Sequence, residues 1–200
     1  MNILRHVGIA AAAATALTVG AATPAFAHDN QDNSRGTTTV VLNQALVPGL
    51  VGLGVAPVAP GTLTAPGGVY QVAFPITKVK KGRIAHSGGL EFKKAAAGDV
   101  EITRFVVDTN TGFLTAKAEV NGKHVGRIAV FKLGATQNVS PGVVPACAGV
   151  AAGLSLTDQA AAALGVPSGT FVGDACVVPT SSKGENDSHH EDYSSHSEKD

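Results

Sequence analysis

The side chains of this 200-residue chain that could do chemistry fall into four small groups. The first is His86-Ser87, set before Gly88-Gly89 in the stretch GRIAHSGGLEF. A histidine beside a serine invites comparison with a base and its nucleophile. The glycine-x-serine-x-glycine elbow of hydrolases is not met, however, because Ala85 stands where its first glycine should be, and no acid is placed to orient the imidazole. An enzyme is therefore not expected. Two roles stay open for His86: contact with a ligand or metal, with His124 a second ligand if its strand lies alongside, or a hydrogen bond to the amides of a sharp Ser-Gly-Gly turn at the end of a sheet.

The second group, Asp108-Thr109-Asn110-Thr111-Gly112, imitates the start of a calcium loop, and Glu119 falls at the twelfth position counted from Asp108. The residues before Glu119 read as strand rather than loop and helix, so a hairpin turn is expected instead. The third, His189-His190-Glu191-Asp192 with His196, could collect transition metals loosely, but its surroundings read as a solubilising acidic tail. No cofactor or resident metal is expected. The fourth is the pair Cys147 and Cys176, which lacks the neighbouring Cys or His that zinc would need and reads as one disulfide. Closing a loop of roughly 30 residues would stabilise the fold by about 3 to 4 kcal/mol.

The compartment follows from the N-terminus. Arg5 and His6 precede the apolar run VGIAAAAATALTVGAA, which leads to Pro24 and Ala25-Phe26-Ala27, the pattern of a secretory signal peptide over residues 1–27. Later apolar runs are all broken by Gly, Pro or charge, short of the roughly 20 residues a membrane span needs. A secreted or cell-surface protein beginning at His28 is expected, with a flexible N-terminus over 28–36, one domain over 37–180, and a disordered acidic tail over 181–200. Basic residues group at Lys78, Lys80, Lys81 and Arg83 and at Lys93-Lys94 without interleaved aromatics, which argues against a nucleic-acid partner.

The elements that must position these residues read mostly as strands. Residues 114–120, LTAKAEV, alternate apolar and polar; Asn121-Gly122 suits a type I′ turn, and 123–133 returns as the partner strand. Further strands are expected at 37–42, 69–74, 82–86, 90–94, 99–107 and 171–178. One clear helix spans 157–164, with Thr157 as cap and Gly165 then Pro167 as stop signals. A weak repeat relates residues 39–55 to 153–166: each runs strand, capping residue (Asn43 or Thr157), small-residue helix, Leu-Gly-Val. In the first copy the helix starts at Pro48 if it forms, and the two copies would close opposite ends of a sheet structure.

Taken together, FPITKVKKGRIAHSGGLEF, FVVDTNTGFLTAKAEVNG, RIAVFKLG, LSLTDQAAAALG and FVGDACV resemble an exported actinobacterial β-protein family with a His-Ser-Gly-Gly-Leu signature and no assigned activity. More distantly, the histidine-glycine-leucine step is similar to one in HtaA-type haem-binding domains of cell surfaces. There a tyrosine ligates the iron and a histidine supports it. That resemblance implies a ligand site around His86, with Ser87 beside it and Tyr70 as the tyrosine within 37–180. Tyr70, in GGVYQVAF, lies outside the ligand motif, and the chain has no tryptophan.

The expected fold is mainly β, an antiparallel β-sandwich or flattened barrel with one or two short helices. The expected function is non-enzymatic binding of an envelope component or small molecule, against two alternatives: a structural envelope component without a ligand, and HtaA-like haem binding. A concave pocket near His86 would favour binding over the structural alternative.

Overall fold

Among the described residues the fold has, besides two single-turn 3-10 segments, eleven strands and two α-helices. In chain order they are β1 (Gly36–Leu42), α1 (Val47–Gly52), β2 (Val55–Val58), β3 (Thr62–Thr64), β4 (Gln71–Lys80), β5 (Arg83–His86), β6 (Gly89–Ala95), β7 (Gly98–Asp108), β8 (Phe113–Val120), β9 (Lys123–Gly134), β10 (Val150–Leu156), α2 (Asp158–Leu164) and β11 (Phe171–Pro179). They belong to a computed structural model that describes residues 35–139 and 146–180. The signal peptide expected over 1–27, the N-terminal residues before Arg35 and the tail over 181–200 lie outside the described residues.

Eight of the strands close into an antiparallel barrel in the order β1-β4-β5-β7-β8-β9-β10-β11, with β11 returning to β1 and the β7–β8 pairing completing the ring. The expected mainly β fold is thus a barrel, and closure leaves these eight without the open edges a flat sheet would carry. β2, β3 and β6 are additions: β6 pairs with β7, β2 with β6 and β3 with β4. Alternation in β8 places Leu114, Ala116 and Ala118 in the core and the residues between them outside. Across the barrel Phe74 of β4 and Phe105 of β7 meet edge to face, with ring centroids 4.9 Å apart.

The turn chemistry matches local sequence. Asn121 and Gly122 both have positive φ (51° and 73°), as a type I′ hairpin requires, and join β8 to β9 with Val120 opposite Lys123. Asp108 opens the β7–β8 hairpin: its carboxylate accepts the Asn110 amide at 3.0 Å and the Arg83 Nε–H at 2.8 Å. The calcium-like stretch is therefore a hairpin turn, and Glu119 sits on β8 away from it. Thr157 caps α2 through Ala160 N–H, and Gly165, at φ 76°, ends it.

The repeat has a different consequence from the one its sequence suggests. α1 does begin beside Pro48, but α1 and α2 lie at the same end of the barrel rather than at opposite ends. β1 and β10 flank β11 on its two sides and are both antiparallel to it, so they run in the same direction and deliver their helices to the same rim. At the other end, Cys147 and Cys176 form a disulfide with Cα atoms 5.5 Å apart. Nearby, Asp174 holds the chain leaving β9 by accepting the amides of Gln137 (3.0 Å) and Val139 (3.2 Å).

Candidate functional site

His86 ends β5 with its ring turned into the barrel, 5% exposed. Its Nδ1 lies 3.3 Å from the Phe105 carbonyl and its Nε2 2.7 Å from the Thr38 hydroxyl. A carbonyl only accepts, so Nδ1 carries the proton, Nε2 is bare, and the Thr38 hydroxyl donates to it. Both ring nitrogens are engaged. Burial among apolar side chains lowers the His86 pKa below its ordinary value, and the hydrogen bond to Phe105 opposes that shift in part. The imidazole is neutral at physiological pH.

The expected Ser-Gly-Gly turn is not a reversal of the chain. β5 and β6 pair successively with the same strand, β7, so His86 to Gly89 is a kink along one edge. Arg104, at φ 51°, forms the matching irregularity in β7 and donates its amide to the Gly88 carbonyl. His86 consequently bonds a carbonyl and a hydroxyl inside the barrel, not turn amides at the end of a sheet. The two glycines serve close approach: a Cβ on Gly88 would lie 2.5 Å from Gly61 N, and one on Gly89 2.3 Å from Ile102 O.

The other residues singled out by sequence are not gathered around His86. Ser87 is half-buried and gives its amide to the Pro75 carbonyl. Tyr70 is half-buried just before β4, six residues along the chain from Ile76, the register partner of His86, a span of roughly 20 Å in extended chain. His124 is exposed on β9, opposite Glu119, with β7 and β8 between its strand and β5. It belongs instead to a row on the outer face, where Glu91, Glu101, Glu119 and His124 are successive cross-strand partners on β6, β7, β8 and β9. Lys93 bonds Glu91 there, and the surrounding carboxylates raise the lysine pKa. Among the described residues no group of three or more His, Cys, Asp or Glu is arranged to hold a metal ion.

An apolar concave site lies at the helix-bearing end of the barrel. A cavity of ≈ 490 Å³ opens between α1, β2, the strand ends of β1, β4 and β6, and the segment following α2. Leu46, Leu50 and Leu53 wall one side, Leu164, Val166 and Val172 the other. Beneath it a small space of ≈ 60 Å³ reaches Thr38 and His86, and the two share Leu42, Val72, Leu90, Phe131 and Val172 as walls. Among the described residues the only side-chain heteroatom in the larger lining is the Thr170 hydroxyl, which donates to Pro167 O at 2.6 Å. Its described residues include no histidine, tyrosine, cysteine, methionine or charged side chain. Among the described residues it offers no axial donor for haem iron: His86 has both nitrogens engaged, and Tyr70 lines neither space.

Sequence reasoning missed this cavity. Its walls come from positions 42 to 172, brought together only by barrel closure, although the spacing of Leu46, Leu50 and Leu53 in the first repeat copy already marks one apolar helical face.

No family model matches the chain, and no curated protein matches it significantly. Among solved structures it is similar to the heme-binding protein HtaB from Corynebacterium glutamicum, at 13% identity and a TM-score of 0.49, over 71% of this chain and 90% of that one. It is also similar to the N-terminal domain of HtaA from the same organism, at 13% identity and a TM-score of 0.45, over 74% of this chain and 99% of that domain.

Proposed function

We propose that this chain is an exported, non-enzymatic binding protein that holds a small molecule in the cavity at the helix-bearing end of its barrel. The observation that carries this reading is the cavity itself: ≈ 490 Å³ is within the range of ligand pockets, roughly 300 to 1,000 Å³, and its walls belong to a closed, antiparallel scaffold. A structural envelope component has no need of such a space. Walls of leucine, valine and proline offer no group to move a proton or attack a bond, which supports binding rather than catalysis. Export is supported by the signal-like residues 1–27 and by the Cys147–Cys176 disulfide, a bond favoured in oxidising compartments.

The test is mass spectrometry of small molecules retained by protein recovered from the culture medium of its native host under non-denaturing conditions. One compound retained near stoichiometry, and lost when the cavity is filled by substitution, is the expected result. Protein that appears in the medium but retains nothing, and binds nothing from a cell extract, overturns the reading.

A further inference from the structure

We propose that the ligand of this cavity is a lipid whose hydrocarbon chain is enclosed while its polar end stays outside the mouth. This rests on the binding reading above and names its chemical class. The Thr170 hydroxyl, the sole polar side-chain group among the described residues of the lining, is already committed to Pro167 O. Any hydrogen-bonding group on the enclosed part of a ligand would lose water and find no side-chain partner, and an enclosed charge would cost more. Hydrocarbon alone meets no such penalty, and every methylene transferred from water into the cavity favours binding. At the rim Leu63 lines the cavity while remaining 37% exposed, which marks where enclosed volume gives way to solvent.

α1 supplies both the entrance wall and the means of testing it. None of its residues is fully buried, and Leu50 packs against the core from the solvent side of the cavity. Gly49 lies within α1 and lines the cavity, and a Cβ there would meet nothing within 4 Å. Gly49 is exposed at the mouth, so Gly49→Leu places a leucine where its Cβ meets no neighbour and its branched end can reach over the opening, at a position where leucine favours helix over glycine.

The experiment uses the full chain, stripped of retained lipid on a hydrophobic resin, with the fluorescence of N-phenyl-1-naphthylamine as reporter. The probe is expected to bind, and hexadecanol and palmitic acid to displace it at stoichiometric amounts while haemin does not. Gly49→Leu should weaken probe and lipids by about tenfold or more with unfolding temperature unchanged or raised. Leu63→Asp should weaken palmitate more than hexadecanol, since a carboxylate at the mouth repels the fatty acid's own. Probe binding that Gly49→Leu abolishes but neither lipid displaces overturns the lipid assignment and leaves the cavity reading standing. Displacement by haemin with the same sensitivity to Gly49→Leu also overturns the assignment. A stripped protein that binds no probe overturns both.

Discussion

The hydroxyl of Thr38 on β1 donates to Nε2 of His86 on β5 at 2.7 Å, across the strand β4 that separates them in the barrel wall. This bond ties non-adjacent strands through the interior, and the Phe105 carbonyl of β7 holds the other side of the ring. Replacing His86 by alanine leaves the Thr38 hydroxyl and the Phe105 carbonyl buried without their partner and should cost about 2 to 4 kcal/mol. Thr38→Val, which removes the hydroxyl at nearly constant shape, should cost about 1 to 2 kcal/mol. In the double variant the losses should fall short of the sum by about 1 kcal/mol, measured by urea unfolding as a double-mutant cycle. Strict additivity would show that the bond contributes nothing.

The same histidine sets a pH dependence. Its folded-state pKa lies below the ordinary 6.5, because burial disfavours the imidazolium. As pH falls the unfolded chain takes up the proton first, so the His86 contribution is complete above about pH 6.5, declines below it, and levels off once pH is under the folded-state pKa. Asp108 acts lower: the Arg83 hydrogen bond holds its pKa below the ordinary 3.8, so its contribution persists above that value and is lost as pH falls through the folded pKa. Unfolding midpoints collected from neutral to strongly acidic pH should show two separate declines. His86→Ala should flatten the upper one and Asp108→Asn the lower. A single decline untouched by His86→Ala would contradict a neutral buried ring.

Where the physics is local, the sequence is legible. Alternation from Leu114 to Val120 specifies β8, Asn121-Gly122 its turn, and Thr157 with Gly165 the two ends of α2, because each signal acts within a few residues. β2 and β3 carried no such signal: they are four and three residues long, β2 contains Pro57, and neither has a buried face to impose a period. His86 was readable as a structural histidine but not as an interior one. Its partners Thr38 and Phe105 are chosen by barrel closure, and Gly88-Gly89 gives the same local signal whether the chain reverses or kinks. The cavity belongs to the same class of fact. Two similar strand-helix segments were visible, but that they share one rim follows from both flanking β11.

The disulfide closes the segment that contains β10, α2 and most of β11. Non-reducing peptide mapping of the purified protein should recover Cys147 joined to Cys176. Replacing both by alanine should destabilise the barrel by about 2 to 4 kcal/mol. Quantitative labelling of both thiols in untreated protein would disprove the pairing.

On the outer face, Glu101 has a glutamate directly opposite on each side, Glu91 and Glu119. Like charges in direct cross-strand register are unfavourable by a few tenths of a kcal/mol each. Glu101→Gln should therefore stabilise the protein by about 0.5 kcal/mol at low ionic strength. The gain should shrink toward zero in molar salt, where the screening length falls to about 3 Å. Chemical denaturation with urea, which adds no ions, is the appropriate measurement. A loss of stability on substitution would mean that Lys93, bonded to Glu91 and attracted by Glu101, already reverses the sign of the row.

The glycines after His86 allow conformational freedom to be separated from close approach. Gly88 and Gly112 both adopt positive φ, 83° and 72°. Around Gly112 an added Cβ meets nothing within 4 Å, whereas at Gly88 it lies 2.5 Å from the backbone of Gly61. Gly112→Ala should accordingly cost only the left-handed penalty, about 1 to 2 kcal/mol, and leave ligand binding intact. Gly88→Ala should cost that plus an overpacking term of about 1 to 3 kcal/mol, because backbone rather than a flexible side chain must move. Gly61 follows β2, whose Val55, Ala56 and Pro57 line the cavity, so the displacement should also weaken probe binding there. Gly89→Ala, with no positive φ to strain, should be costly through close contact with Ile102 O and Thr103, loosening β6 from β7. Equal destabilisation by Gly88→Ala and Gly112→Ala, with probe binding unchanged in both, would mean that the motif after His86 serves backbone conformation only and does not set the cavity wall.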